Sequence, residues 1–183
     1  MILPPTADDI RVSASQAASG SPIIQNNLRA LVVEAIVDAA LRPSWRWCSV
    51  DWAGWDFEHE TGIKLEVKQS AVRQTWAAPK SKLVPRFDIR ERTGYWEDGA
   101  TWIAQPGRNA QIYVFAHHPF VDETADHRDP LQWRFYVIRA SVLPVARTIG
   151  LPGVNKLAPQ PVSWAELFGA VEQVRLLLGV SAT

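Results

Sequence analysis

Residues 62–76 read GIKLEVKQSAVRQTW, and the alternation inside this stretch decides how the rest of the chain is read. Ile63, Leu65 and Val67 fall on one side of a strand at period two, and Lys64, Glu66 and Lys68 fall on the other. The first side is core. The second carries an acid and a base two residues apart, on a face that is either solvated or chemical. Upstream, WDFEHETG supplies the other strand of a hairpin, and a three-residue loop of Glu60, Thr61 and Gly62, with glycine at the left-handed position, sets the register. His59 then opposes Ile63, Glu58 opposes Lys64, Phe57 opposes Leu65 and Asp56 opposes Glu66. Phe57 and Leu65 go to the core together, and Glu58 and Lys64 are placed to form an ion pair. Asp56 and Glu66 meet as like charges, which costs stability unless something neutralises them.

Two carboxylates held together on a sheet, with a lysine two residues on, suit a hard divalent cation, which takes oxygen ligands at about 2.0–2.5 Å and leaves room for water and phosphate oxygens. A lysine there orients or deprotonates an attacking water, or neutralises charge as a phosphodiester passes through its transition state. A third acid comes from the segment ahead of the hairpin. Ser21-Pro22 reads as an N-cap followed by proline at the first helical position, and the apolar run to about Leu41, stopped by Pro43, predicts a long helix. Within it Glu34 has Ala30, Leu31 and Val37 as helical neighbours, so its carboxylate sits at or near the buried face and needs a partner. Glu-x-Lys alone is a common tripeptide that a solvated strand face explains. Asp56 opposite it and Glu34 on the helix favour the chemical reading.

A helix bearing Glu34, then Asp56, then Glu66-Val67-Lys68 on the next strand, resembles the PD-(D/E)XK nuclease superfamily with its restriction-endonuclease-like fold. The resemblance spans residues 21–76, and the later strands agree in order without a diagnostic residue. It implies an α/β fold with a central mixed sheet of four or five strands flanked by helices, and a nuclease that hydrolyses DNA with Mg2+, Mn2+ being a substitute. Carried over by position, Asp56 and Glu66 are metal ligands, Val67 offers a backbone carbonyl, Lys68 serves the water, and Glu34 is the extra acid that reaches the metal through water. Trp55 stands where the name-giving proline would be, which makes Asp51 a rival for the first acid; Gly54 and the strand parity favour Asp56. EVKQSAVRQTW also resembles a bacterial branch of nuclease-like proteins, which adds Gln69, Ser70 and Gln74 to the rim of the site.

Beyond the hairpin, WRWCSVDW, QIYVFA and QWRFYVIRA read as strands. Ser163-Trp164-Ala165-Glu166 has the spacing of a capping box, and the apolar pattern after it runs to Leu178 with Gly179 as the cap. Helix, strands and helix predict a mixed sheet with helices packed on it. Residues 1–20 are Ser-, Ala- and Pro-rich and read as a loose arm, and residues 21–183 as a single domain. Residues 77–107 and 119–129 are rich in turn residues and charge, and read as loops broken by short elements.

Composition narrows the function classes. With 183 residues, 47% apolar and 21% charged, the chain has the usage of a globular domain, and no apolar run approaches the ~20 residues of a membrane helix. The first residues lack a positive region followed by an apolar one, so a cytoplasmic protein is expected. Cys48, the one cysteine, stands in WRWCSV as a small buried residue, which rules out disulfides and cysteine-rich zinc sites. Nineteen basic residues balance nineteen acidic ones, so any attraction to nucleic acid is local. It is found between positions 64 and 92, where Lys64, Lys68, Arg73, Lys80, Lys82, Arg86, Arg90 and Arg92 stand against Glu66, Asp88 and Glu91, with Trp76 and Phe87 interleaved. Arg73, Trp76, Lys80 and Lys82 accordingly join Gln69, Ser70 and Gln74 as candidate DNA contacts. No helix-turn-helix or zinc-finger pattern argues for base specificity.

His117 and His118 are adjacent on a strand and point to opposite faces, so they do not share an ion with His127 and are expected in the core or at loop edges. No G-x-S-x-G elbow supports serine catalysis. Two readings stand beside the nuclease: a catalytically silent nucleic-acid-binding or assembly module of the same fold, and an interaction protein whose nine tryptophans form an interface. A homodimer is expected by analogy with enzymes that cut both strands.

Overall fold

The expected hairpin forms in the expected register from Phe57 to His59, but the expected Asp56–Glu66 pair is not part of the ladder: the Asp56 N–H bonds the Leu65 carbonyl, which already faces Phe57. The computed structural model describes residues 4–48, 53–76, 84–97 and 99–179. In chain order its elements are α1 (Ala7–Ser19), α2 (Asn26–Leu41), β1 (Trp45–Trp47), β2 (Phe57–His59), β3 (Lys64–Ala71), β4 (Arg86–Asp88), β5 (Tyr95–Glu97), β6 (Thr101–Ile103), β7 (Ile112–His118), β8 (Arg134–Arg139), β9 (Thr148–Gly150), α3 (Leu151–Leu157) and α4 (Trp164–Gly179). Phe57 pairs with Leu65 and Glu58 with Lys64, the His59 N–H donates to the Ile63 carbonyl at 2.9 Å, and Gly62 takes φ 80° at the turn.

The chain is α/β, with a mixed five-stranded sheet in the order β1-β2-β3-β7-β8. β3 and β7 run parallel and the other neighbours antiparallel. β7 is buried along its whole length, and its near-continuous apolar sequence is what a parallel-paired central strand requires. On one face, Leu65, Val67, Ile112, Val114 and Ala116 pack against Val33, Ile36 and Val37 of α2 and Leu167 and Val171 of α4. On the other, Tyr113, Phe115, Tyr136 and Ile138 form a second core with Phe87, Ile89, Leu143, Ile149 and Val154. The β4–β9 ribbon and α3 contribute to that second core. Glu66 and Lys68 register with Tyr113 and Phe115, so the polar side of β3 is a partly covered face and not an open one. The segments read as loops carry β4, β5 and β6, short elements as expected.

Four more expectations change. Residues 7–19 are helical, where a loose arm was expected, because Thr6 and Asp9 form a reciprocal capping box; no residue of α1 is buried. α2 begins at Asn26 and not at Pro22, because residues 20–24 are tied to the loop before η1, a 3-10 turn at Pro130–Gln132. The Pro22 carbonyl accepts from the His127 N–H at 2.8 Å, and the Ile24 N–H donates to His127 Nδ1 at 3.0 Å. Glu58 and Lys64 are in register but are not an ion pair: Glu58 bonds Arg46 of β1 at 2.5 Å, and Lys64 Nζ lies 3.4 Å from the centre of the Trp55 ring. The strand read over WRWCSVDW is formed at Trp45–Trp47, and residues 49–52 lie outside the described residues.

α4 starts at Trp164 with the Glu166 carboxylate accepting from the Ser163 N–H and hydroxyl at 2.8 and 2.7 Å, as the capping pattern predicts. Cys48 is buried and free, and burial pushes its thiol up. His117, His118 and His127 are all buried. Among the described residues no helix is long and apolar enough to cross a membrane.

Candidate active site

Asp56 is held from both sides. Its N–H donates to the Leu65 carbonyl at 3.0 Å and its carbonyl accepts from the Cys48 N–H at 2.8 Å, so the residue continues the sheet just ahead of β2. Its carboxylate then turns toward β3, where Oδ2 accepts from the Val67 N–H at 2.6 Å. Glu66 and Lys68 flank that amide. Lys68 Nζ donates to Glu66 Oε1, and the two side chains are only 19% and 15% exposed, lysine first. Glu34 comes in from α2, and its Oε2 accepts from the Trp47 indole N–H at 3.0 Å, which is the partner that its buried position demands.

The electrostatics follow from this crowding. Burial, then the Glu66 and Glu34 carboxylates, push the Asp56 carboxyl well above the usual range, against the opposing pull of Lys68 and the Val67 N–H. Burial also raises Glu34, against its Trp47 bond, with Glu66 adding to the rise. For Lys68, burial alone would favour the neutral amine, but the Glu66 and Asp56 carboxylates outweigh it and hold the ammonium above the ordinary lysine range. Three acids therefore share one lysine in a poorly solvated place. Lys68 is a fixed cation here and not a free base.

Among the described residues no group of three or more His, Cys, Asp or Glu side chains is arranged to hold a metal ion. A closed protein cage is thus not what the site offers. Two carboxylates, Asp56 and Glu66, are the number that Mg2+ uses when it keeps water and phosphate oxygens in its remaining positions. Burial first, and then the Glu66 and Glu34 charges, raise the Asp56 carboxyl, and a cation bound between these acids would oppose that rise. The donor set, all hard oxygen, fits such an ion.

No family model matches the chain, and no curated protein does.

Glu66 and Lys68 open into a cleft of about 360 Å3. Most of the rest of its lining comes from residues far along the chain: Asp88 of β4, Arg90 and Arg92 after it, Trp102 of β6, Arg108 and Asn109 ahead of β7, and Tyr113 of β7 beside Glu66. Arg90 Nε and Arg92 Nη2 share the Asp88 carboxylate at 2.9 and 3.8 Å. Burial, then Glu66, push the Tyr113 phenol up, so it remains a hydrogen-bond donor beside that carboxylate.

The sequence-predicted residues divide. Asp56, Glu66, Lys68 and Glu34 come together, with the Val67 amide engaged by Asp56. Gln69 and Gln74 turn inward to a buried guanidinium: Arg29 Nε donates to Gln69 Oε1 at 2.7 Å and Nη1 to Gln74 Oε1 at 3.0 Å, while Nη2 donates to Asn26 Oδ1 at 2.7 Å. Burial pushes Arg29 down to about 10. The Ser70 carbonyl lies 3.4 Å from His117 Nδ1. Arg73 and Trp76 line a separate groove with Val121 and Asp122, where Arg73 bonds the Asp122 carbonyl and Trp76 is exposed. Lys80, Lys82 and Asp51 lie outside the described residues. Sequence reasoning placed Arg90 and Arg92 in a basic stretch without bringing them to the site. Trp102, Arg108 and Asn109 carried no pattern that could have done so.

Proposed function

We propose that this chain is a Mg2+-dependent nuclease hydrolysing phosphodiester bonds in DNA, on a restriction-endonuclease-like fold of the PD-(D/E)XK kind. The observation that carries the reading is the convergence of the Asp56 and Glu66 carboxylates with Lys68, of which Glu66 and Lys68 line an arginine-walled cleft. The mixed sheet, with the hairpin at its centre and helices α2 and α4 on one face, supports the fold assignment.

In this reading Asp56 and Glu66 would hold the ion, with the Val67 carbonyl as a further oxygen donor and Glu34 as a supporting acid that would reach it through water. The bound ion would supply Lewis acidity at the scissile phosphate and a more acidic water. The rest belongs to the chain. Asp56, fixed by the Val67 amide, presents a carboxylate whose position does not depend on the ligand. Lys68, kept protonated by its acidic neighbours, orients the attacking water and offsets the charge that builds on the phosphoryl oxygens. Arg90, Arg92 and Arg108 hold the flanking phosphates. The partly enclosed cleft limits competing water, which strengthens each of these interactions.

The test is cleavage of plasmid and single-stranded DNA in Mg2+ or Mn2+ buffers against the same buffers with chelator. Glu66→Ala and Lys68→Ala are expected to lower the rate by at least about 100-fold while keeping wild-type far-UV circular dichroism. Full activity in both variants would overturn the assignment.

A further inference from the structure

We propose that the cleft receives a single-stranded DNA segment, with its phosphates on Arg90, Arg92 and Arg108 and an unpaired base stacked on Trp102, beside Trp96. This rests on the reading of Glu66 and Lys68 as the cleavage site, and it adds the substrate class. The β5–β6 hairpin places Trp96 directly opposite Trp102, with ring centres 5.6 Å apart, and leaves the two 39% and 45% exposed. Trp102 lines the cleft, and Trp96 meets it edge to face at 64° from outside that lining, so a half-exposed apolar ring stands next to phosphate-binding groups. A duplex has no use for such a ring, because its bases already stack on one another, whereas a single strand presents free base planes.

Trp102 is pre-positioned. Gly94 lies under it so closely that a Cβ at that position would sit 2.6 Å from Trp102 Cζ2 and collide with the Ile103 carbonyl. The charges favour a phosphodiester. Arg90 and Arg92 have one carboxylate between them. Arg108 lines the cleft and donates from Nε to the Ile89 carbonyl at 2.9 Å, from Nη1 to the Leu143 carbonyl at 3.4 Å and from Nη2 to the Pro144 carbonyl at 2.6 Å, so among the described residues its bonded partners are neutral and its charge is not paired with a carboxylate. Among the described residues Asn109 Nδ2, in the same wall, is buried without a hydrogen-bond partner, and so offers a donor to an incoming oxygen. The cleft's volume, about 360 Å3, stands near the lower end of the ~300–1,000 Å3 range of small-ligand pockets. That admits one nucleotide and not a base pair with both its sugars.

The experiment is fluorescence anisotropy of a labelled oligothymidylate of about 12 nucleotides, within the ~4–16 that single-strand-binding folds cover, against a duplex of equal length. Both titrations contain chelator, so binding is read without turnover. The single strand is expected to bind at least about tenfold more tightly than the duplex, and Trp102→Ala to cost about tenfold of that affinity while Trp102→Phe retains most of it. Arg92→Gln should weaken binding and lower the slope of log K against log salt by about 0.7. Equal or tighter duplex binding would overturn the inference, as would unchanged single-strand affinity in Trp102→Ala. Tight, tryptophan-dependent binding by a protein that never cleaves would sustain this inference and overturn the nuclease reading. Metal-dependent cleavage by a protein with no single-strand preference would do the reverse.

Discussion

At the scale of single residues, Asp56 bears most of the tension in the structure. It is a carboxylate in a poorly solvated place with two other acids nearby, and the hydrogen bond from Val67 and the charge of Lys68 offset this only in part. A group held in such a state by function is one whose removal stabilises the resting protein. Asp56→Asn keeps an oxygen acceptor for the Val67 N–H and removes the charge. In chelator the variant should therefore gain on the order of 1 kcal/mol, seen as roughly 2–4 °C in Tm for a chain of this size, and should lose cleavage altogether. A Tm equal to or below wild type would contradict the account of Asp56 as an undercompensated charge. This residue was legible in the sequence from its place just ahead of the hairpin strand, although the ladder ends at Phe57 and its carboxylate reaches the Val67 amide instead of standing in register with Glu66. The contact that Lys64 makes was not legible, since an aromatic ring at Trp55 competes with the carboxylate of Glu58 and no alternation rule ranks the two.

At the scale of elements, the start of α2 shows what a sequence reading misses when distant segments compete with local signals. Ser21-Pro22 has good helix-start chemistry, yet residues 20–24 are occupied by the loop around His127, with Arg128 Nη1 also donating to the Gly20 carbonyl at 2.6 Å. That tie carries a pH dependence. Burial, then the charges of Arg29 and His118, push His127 down to about 4, and burial likewise lowers His117 and His118. The unfolded chain, with histidines near 6.5, binds protons that the folded chain does not. Stability from these groups is full above that value and is lost as pH falls toward about 4. Asp56 and Glu34, raised in the folded state, act in the opposite sense, so the comparison belongs in Asp56→Asn/Glu34→Gln. There Tm should fall steadily from pH 7 to 5, and a flat profile would show that the histidines are not held neutral. The five strands of the main sheet and α4 were legible because period-two runs and a capping box are local, whereas β4, β5, β6 and β9, three residues each, are too short to show a period. α1 went unread because its stabilising signal, Thr6 with Asp9, stands in a segment with no buried face to give it periodicity.

At the scale of the whole molecule, one sheet separates two cores, and the proposed chemistry lies on the side with the smaller one. α2 and α4 cover the apolar face of β3, while the face bearing Glu66 and Lys68 is closed only in part by β4, β9 and the segment that carries Arg90 and Arg92. A chain with balanced charge can thus keep a cationic wall where it is needed, because the fold gathers arginines from positions 90, 92 and 108. The acid-and-lysine half of the site lies within one hairpin and one helix, which is why local pattern reached it. The arginine-and-tryptophan half is assembled by long-range packing, which has no local signature. The most direct test of the central claim is a calorimetric titration of the full chain with Mg2+ and with Mn2+, wild type against Glu66→Ala. The account predicts saturable binding by wild type that is lost in the variant; no binding by wild type, or equal binding by both, would contradict it.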